Sequence, residues 1–172
     1  MAMNLGVETI RVTPYCPREP ADPLFPSPGD FQSLSHALCA LRNTCGGRVT
    51  LLPMLTKFEV TGLNLPSLLG PHMLCEAGTI LCSILSDGTV VPCTHLSGPE
   101  WHAGNLRMTG FVDIWANSHV LQRLRPVGSL KKRCVSCSLV KTCKGGCRFR
   151  AYVETGDIGA IDPLCPFEKG EI

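Results

Sequence analysis

Four cysteines lie close together in the last third of the sequence, in the pattern C-x2-C-x5-C-x3-C. They are Cys134, Cys137, Cys143 and Cys147. A globular core gives no packing reason to place four thiols so near one another, so such thiols are normally crosslinked or bound to metal. Two glycines directly precede the last cysteine, where the backbone must bend tightly, and basic residues crowd the segment. Both features favour a metal–thiolate site of net negative charge.

The composition of the chain is consistent with this interpretation. Its 172 residues are 44% hydrophobic and 17% charged, which is the balance of one globular domain or two small ones, and a net charge of +2 gives no argument for nucleic-acid binding. Eleven cysteines are an odd number, and the N-terminus lacks the features of a signal peptide. No apolar stretch approaches the roughly 20 residues that span a bilayer. We therefore expect a cytoplasmic, reduced protein that binds neither nucleic acid nor membrane.

The N-terminal third has the pattern of a strand, a helix and a second strand. Residues 7–12 and 48–53 are the predicted strands, and Asp30 is the predicted cap of the helix between them. Such a βαβ unit belongs to a parallel sheet, but a single unit cannot close a barrel. We therefore expect residues 1–60 to form part of a larger structure, and we expect the chain to associate with itself or with a companion half-barrel.

The next part of the chain predicts a β-hairpin followed by helices. Asp87-Gly88 between two β-rich runs indicates a two-residue turn, and the resulting register places Cys82 directly opposite Cys93. Further along, the spacing predicts one helix from about residue 109 to residue 124 and a short helix over residues 148–155. The buried side of the longer helix is predicted to consist of Ile114, Trp115, Leu121 and Leu124.

The cysteines and the motifs between them form one longer pattern. Its parts are Cys75-Glu-Ala-Gly78, Asp87-Gly88-Thr-Val-Val-Pro-Cys93, Gly104-Asn105, Asp113-Ile-Trp115-Ala-Asn-Ser118, Cys134-x2-Cys137, Cys143-Lys-Gly-Gly-Cys147 and Cys165. From about Pro71 to Phe167, the chain resembles the SPASM domain, the C-terminal extension of many radical S-adenosylmethionine enzymes. Seven cysteines at matching intervals make this a specific resemblance.

The resemblance implies two auxiliary [4Fe–4S] clusters. Cys75, Cys93 and Cys147 would hold the first, and the hairpin register adds Cys82 as its fourth ligand. The ligands of the second would be Cys134, Cys137, Cys143 and Cys165. The implied fold is α+β, with a partial (β/α) barrel remnant over residues 1–60, a linker over 61–71 and a SPASM domain over 72–172 that contains a β-hairpin, a helix and both iron–sulfur sites.

The sequence departs from complete enzymes of this kind in one respect. It contains no C-x3-C-x2-C motif, since Cys16, Cys39 and Cys45 have other spacings. The chain therefore resembles the C-terminal half of a radical S-adenosylmethionine maturase, whether truncated, split or degenerate. Such an enzyme would modify a peptide or build a peptide-derived or tetrapyrrole cofactor, and S-adenosylmethionine would bind only with the missing N-terminal half. The expected partners are a peptide substrate and a redox protein such as a ferredoxin or flavodoxin.

Two other functions remain open from the sequence. The chain could be a stand-alone iron–sulfur protein for electron transfer or scaffolding, or an interaction module in which the C-x2-C-x5-C-x3-C cysteines bind one structural zinc ion. No nucleophile with a base, carboxylate pair or phosphate-binding loop stands out in the sequence. We therefore assign no catalytic residue to this chain.

Overall fold

The computed structural model divides into two compact units. It describes residues 9–12, 15–25, 27, 29–30, 33, 37, 40, 50–53, 75–126, 129–137 and 140–165. The first unit combines Met1–Leu74 with Pro163–Ile172, and the second is Cys75–Asp162. The second unit carries seven of the eight predicted cluster ligands, whereas Cys165 falls in the first. The predicted linker over residues 61–71 lies outside the described residues.

The first unit contains a pair of parallel strands. Strand β1 is Thr9–Val12 and strand β2 is Thr50–Pro53, and their register pairs Thr9 with Thr50. The described residues at positions 29, 30, 33, 37 and 40 between them are helical. The predicted order of strand, helix and parallel strand is therefore confirmed for the described part of this unit.

The helix of the first unit begins earlier than predicted. Position 29 is already helical, and the backbone N–H of Asp30 donates to the hydroxyl of Ser27 at 3.1 Å. In return, the Asp30 carboxylate accepts the backbone N–H of Ser27 at 3.1 Å. Ser27 is thus the cap, and Asp30 is its reciprocal partner in a capping box. The hydrogen bonds from Ser27 hold the pKa of the Asp30 carboxyl below its ordinary value.

The second unit contains a small antiparallel sheet of three strands. Strand β3 is Ser83–Ile84, β4 is Thr89–Val91 and β5 is Gly104–Asn105, in the order β3–β4–β5. Strand β4 is the central strand and is fully buried. Its sequence, Thr-Val-Val, consists of β-branched residues, which favour such a position. Together with the helices, this sheet confirms an α+β architecture.

The register of the β3–β4 hairpin differs by one residue from the prediction. Ser83 pairs with Val91, and Leu85 donates its N–H to the carbonyl of Thr89 at 2.8 Å. The loop therefore has three residues, with Gly88 at a φ of 89°, because a left-handed residue after a tight turn closes this type of hairpin.

Two side chains stabilise this three-residue loop. The Asp87 carboxylate accepts the N–H of Thr89 at 2.9 Å, and the Asn105 amide donates to the carbonyl of Asp87 at 3.2 Å. The predicted pairing of Cys82 with Cys93 was thus wrong, because the observed register leads Cys82 towards Pro92.

Short helices make up the rest of the second unit. A 3₁₀ helix spans Pro99–Trp101, and the α-helices are α1 Phe111–Asn117, α2 His119–Gln122, α3 Lys132–Val135, α4 Val140–Cys143 and α5 Arg148–Thr155. Helix α5 has the predicted bounds and ends at Gly156, whose φ of 71° is left-handed. No helix among the described residues is long and apolar enough to cross a membrane.

The single helix predicted over residues 109–124 is divided into α1 and α2. The division lies at Ser118, whose backbone is extended with φ −62° and ψ 118°. Asn and Ser side chains compete for backbone hydrogen bonds and so favour helix ends over helix interiors, and the break falls where Asn117 and Ser118 are adjacent. Ile114, Leu121 and Leu124 are buried as predicted, whereas Trp115 is only partly buried.

The core of the second unit supports the segments that carry the cysteines. It consists of Ala77, Leu96, Trp101, Val120, Leu124 and Ile158, and the side chains of Cys75 and Cys93 pack against it. Helix α5 joins this core through Tyr152, whose ring meets that of Trp101 edge-to-face at 4.9 Å. Burial of this core therefore holds three cysteine-bearing segments in place: the one before Ala77, the one after β4 and the one before α5.

Candidate metal centre

Three cysteines from distant parts of the sequence come together in the second unit. Cys75 begins the unit, Cys93 follows β4 by two residues, and Cys147 directly precedes α5. The Cys147 thiol acts electrostatically on both Cys75 and Cys93, and Cys93 acts on Cys75. All three side chains are partly buried. The tertiary structure thus forms one group of thiols from the three cysteines that the resemblance assigns to a single site.

Backbone N–H groups point at two of these sulfurs. Burial, and then the neighbouring Cys147, raise the pKa of the Cys75 thiol to about 11, against the lowering effect of N–H groups from Arg148 and Ala77. Burial likewise raises the pKa of Cys93, whose sulfur accepts the N–H of Leu96 at 3.4 Å. N–H donors on buried sulfur atoms are the means by which proteins stabilise iron–sulfur clusters and tune their potentials.

The raised pKa of Cys75 predicts a pH dependence for the metal-free protein. Between about pH 9 and pH 11 the native thiol keeps a proton that the unfolded chain, with a pKa near 9.0, has lost. Below this interval, the proton on the native thiol does not disfavour the folded state. As the pH rises through the interval, the unfolded chain loses its proton first, so the free energy of unfolding should fall. Denaturant unfolding at several pH values, with reductant and chelator, measures this slope. Cys75→Ala should make the slope shallower, and an unchanged slope in that variant would contradict the prediction.

The position of Cys82 relative to the other sulfurs differs from the prediction. It directly precedes β3, so it lies at the open end of the hairpin, as Cys93 does at the end of β4. Burial is the cause that raises its pKa, and the thiols of Cys75 and Cys93 do not enter among the described influences. Its role as the fourth ligand therefore stays a prediction.

Three of the four predicted ligands of the second cluster lie in or between two short helices. Cys134 lies in α3, Cys137 follows two residues after that helix, and Cys143 ends α4. Burial raises the pKa of the Cys134 thiol, and the neighbouring thiol of Cys137 raises it further. Cys165 is partly buried within the first unit. The assignment of all four cysteines to one cluster stays a prediction.

The turn before Cys147 is built from three consecutive residues with left-handed backbone. They are Lys144, Gly145 and Gly146, with φ values of 51°, 87° and 74°. A Cβ on Gly145 would overlap the side chain of Leu130, and one on Gly146 would lie 2.5 Å from the Cβ of Asp162. Both the backbone conformation and the space therefore require glycine, as the sequence predicted for a tight bend at the metal site.

A buried ion pair fixes the position of this turn. Asp162 and Arg150 are only 1% and 3% exposed, and the guanidinium donates Nε to Oδ1 at 3.0 Å and Nη2 to Oδ2 at 2.6 Å. Oδ2 of Asp162 also accepts the backbone N–H of Cys147 at 2.6 Å. The sequence by itself did not predict this pair, because the two residues are twelve positions apart and no local pattern joins them. The one signal available was an aspartate three residues before Cys165, downstream of the basic segment that contains Arg148 and Arg150.

Arginine also anchors the loop that carries Cys75. Arg125 donates Nε to the carbonyl of Gly78 at 2.8 Å and Nη2 to the carbonyl of Trp115 at 2.5 Å, and its guanidinium lies over the Trp115 ring. Gly78 has a φ of 68°, and a Cβ there would lie 3.2 Å from the carbonyl oxygen of Leu121. The loop after Cys75 is thereby tied to α1 and packed against α2.

The donor set suits iron–sulfur clusters. Among the described residues, no three His, Cys, Asp or Glu side chains converge on a point where one metal ion could bind. A [4Fe–4S] cluster makes a different demand, because it is held by four thiolates on separate iron atoms. The second unit provides seven cysteines, and N–H donors are already directed at Cys75 and Cys93.

Comparison with known proteins identifies this unit. Residues 75–148 match the SPASM family, described as an iron–sulfur cluster-binding domain. This segment is a SPASM domain. The chain is 40% identical over 97 residues to the AdoMet-dependent heme synthase of Methanosarcina barkeri, which covers 56% of this chain and 27% of the relative. It is 31% identical over 109 residues to the mycofactocin maturase MftC of Mycolicibacterium smegmatis, covering 63% and 28%. The chain thus spans just over a quarter of the length of these radical S-adenosylmethionine relatives.

Solved structures show the same fold at lower sequence identity. SuiB of Streptococcus suis bound to S-adenosylmethionine matches with a TM-score of 0.72 at 18% identity, over 96% of this chain and 40% of SuiB. The enzyme anSMEcpe with bound AdoMet matches with a TM-score of 0.59 at 20% identity, over 88% of this chain and 41% of that one. The chain therefore has the fold of about two fifths of each of these proteins.

Proposed function

We propose that this chain is the auxiliary-cluster part of a radical S-adenosylmethionine/SPASM maturase. It binds two [4Fe–4S] clusters. The ligands of the first are Cys75, Cys82, Cys93 and Cys147, and those of the second are Cys134, Cys137, Cys143 and Cys165. The observation that carries the proposal is the group formed by Cys75, Cys93 and Cys147, with backbone N–H donors on its sulfurs, inside a SPASM domain.

The first unit supplies part of the barrel in this proposal. Residues 1–60 are the last βα units of a (β/α) barrel, residues 61–71 are the linker and residues 72–172 are the SPASM domain. The parallel pairing of β1 with β2 and the likeness to SuiB support this organisation. A companion half-barrel, or a second copy of the chain, would cover the open edge of the sheet.

The proposed substrate is a peptide, or the precursor of a peptide-derived or tetrapyrrole cofactor. The relatives include a heme synthase and a mycofactocin maturase, and anSMEcpe has been solved with a bound peptide. The reaction takes place in the cytoplasm with electrons from a ferredoxin or flavodoxin. Bound clusters supply electron transfer to or from the radical site, or an iron at which substrate can bind.

The chain's own residues hold the cluster ligands in position and control their surroundings. The N–H groups of Arg148 and Leu96 donate to the sulfurs of Cys75 and Cys93. Asp162 fixes the backbone at Cys147. The core around Leu96 limits the access of water to two of the thiols, and lower exposure changes the reduction potential of a cluster held there.

Metal analysis of the full chain tests the proposal. Anaerobically reconstituted protein should contain about eight irons and about eight sulfides, since each of the two clusters holds four of each. Incubated with S-adenosylmethionine and dithionite, it should form no 5′-deoxyadenosine above a control without protein, because the C-x3-C-x2-C ligands are absent from its sequence. Stoichiometric zinc without sulfide would overturn the cluster assignment. About four irons would mean that the chain binds only one cluster. Formation of 5′-deoxyadenosine would contradict the proposal that this chain does not cleave S-adenosylmethionine by itself.

A further inference from the structure

Arg148 is a buried arginine with an unused donor. It is 3% exposed and is the first residue of α5, immediately after the predicted ligand Cys147. Its Nη2 donates to the hydroxyl of Ser129 at 3.2 Å. Its Nη1 is also buried and has no hydrogen-bond partner among the described residues. A buried polar atom without a partner costs free energy, so an acceptor is expected at this position when the protein is loaded.

The charge of Arg148 reaches both predicted cluster sites. The guanidinium interacts electrostatically with the thiols of Cys75 and Cys134, which belong to the first and second ligand sets. The carboxylate that acts on Arg148 is Asp157, which is 43% exposed and already paired with Lys131 at 2.5 Å. An arginine stays protonated even when buried, and a buried charge requires a counter-charge. When clusters are bound, the deprotonated ligands Cys75 and Cys134 would supply that counter-charge.

Arg150 lies in the same helix, and its positive charge is neutralised by a buried carboxylate. Two hydrogen bonds join it to Asp162, so its charge is matched locally. Arg148 has a single hydrogen bond to a neutral hydroxyl through Nη2. The two arginines are equally buried, but only Arg150 has its own carboxylate in the described structure.

We propose that Arg148 is a shared cation for the two clusters, with Nη1 donating a hydrogen bond to a sulfur atom of one of them and its charge raising the reduction potential of both. The inference rests on the proposed binding of two clusters. A cluster becomes more negative on reduction, so a nearby positive charge stabilises the reduced form. Arg148 is thus a residue that tunes the clusters through hydrogen bonding and charge.

Redox titration of variants, followed by EPR, tests this role on the full chain. Arg148→Met should still take up both clusters, and both midpoint potentials should shift to more negative values. Arg148→Lys keeps the charge, so it should show a smaller shift. The matched control is Arg107→Met, because Arg107 donates Nε to the carbonyl of Asp87 at the closed end of the β3–β4 hairpin, at the opposite end from Cys82 and Cys93. That variant also removes an arginine charge, but it should leave both potentials unchanged.

A second measurement uses the unaltered protein, so it does not depend on variants that load. With ¹⁵N only in the arginine guanidinium groups, pulsed EPR of the reduced protein should detect a ¹⁵N coupling to a cluster. Such a coupling would support the proposal even if Arg148→Met failed to take up iron, and its absence would overturn the hydrogen bond. Full iron with unchanged potentials in Arg148→Met would show that Arg148 is structural only. Zinc or a single cluster in the unaltered protein would overturn the proposed function itself, and with it the shared role.

Discussion

Asp162→Asn is expected to lower the free energy of unfolding of the metal-free chain by about 3–5 kcal/mol, because it leaves a buried guanidinium without its counter-charge. The substitution keeps the size of the side chain but removes the charge that faces Arg150 through two hydrogen bonds. It also weakens the bond to the backbone N–H of Cys147. Denaturant unfolding of the full chain measures the loss, and iron uptake after reconstitution shows whether the Cys147 site is disturbed as well.

Two further variants identify the cause of this loss. Lys131→Ala removes the ion pair with Asp157. Because the Lys131 and Asp157 side chains are 59% and 43% exposed, this variant should lower the free energy of unfolding by at most about 1 kcal/mol. Replacing both buried partners, as in Arg150→Met with Asp162→Leu, should cost less than Asp162→Asn because no charge is then left unpaired. A loss for Asp162→Asn no larger than that for Lys131→Ala would mean that the buried pair does not hold this region together.

Cys75→Ala is expected to abolish the first cluster and leave the second in place. Iron and sulfide should each fall from about eight to about four per chain, since each cluster holds four of each. Cys75 has this effect because its thiol interacts with those of Cys93 and Cys147 while its side chain packs against the core. The thermal stability of the loaded protein should also fall, because metal binding contributes directly to the folding free energy. Metal analysis and EPR of the anaerobic protein measure both effects.

Cys82→Ala tests the fourth ligand separately. Loss of Cys82 should open or destabilise the first cluster without affecting the second, and Cys16→Ala, outside both ligand sets, should leave iron content unchanged. Full iron with an unaltered EPR spectrum in Cys82→Ala would show that Cys82 is a packing residue. Full iron in Cys75→Ala would instead contradict the whole first ligand set.

The sequence alone indicated the SPASM domain and several of its local features. Cysteine spacing is a direct record of ligand chemistry, so the pattern from Cys75 to Cys147 predicted the SPASM domain that the comparisons confirm. Glycines also predicted local structure correctly at positions where the backbone is left-handed, since glycine adopts this conformation most readily. The glycine at position 156 ends α5 as predicted, and Gly145 with Gly146 form the tight bend.

Tertiary structure decided the features that depend on residues far apart in the chain. The hairpin register shifted by one because Asn105, eighteen positions from Asp87, donates to its carbonyl and so favours a three-residue loop. The Arg150–Asp162 pair and the unused donor of Arg148 have no local signature. A buried charge is tolerated only where folding supplies its partner, and the sequence order of the two residues does not reveal that partner. For the same reason the resemblance could only propose Cys75, Cys93 and Cys147 as ligands of one cluster, whereas the fold brings their thiols into one group.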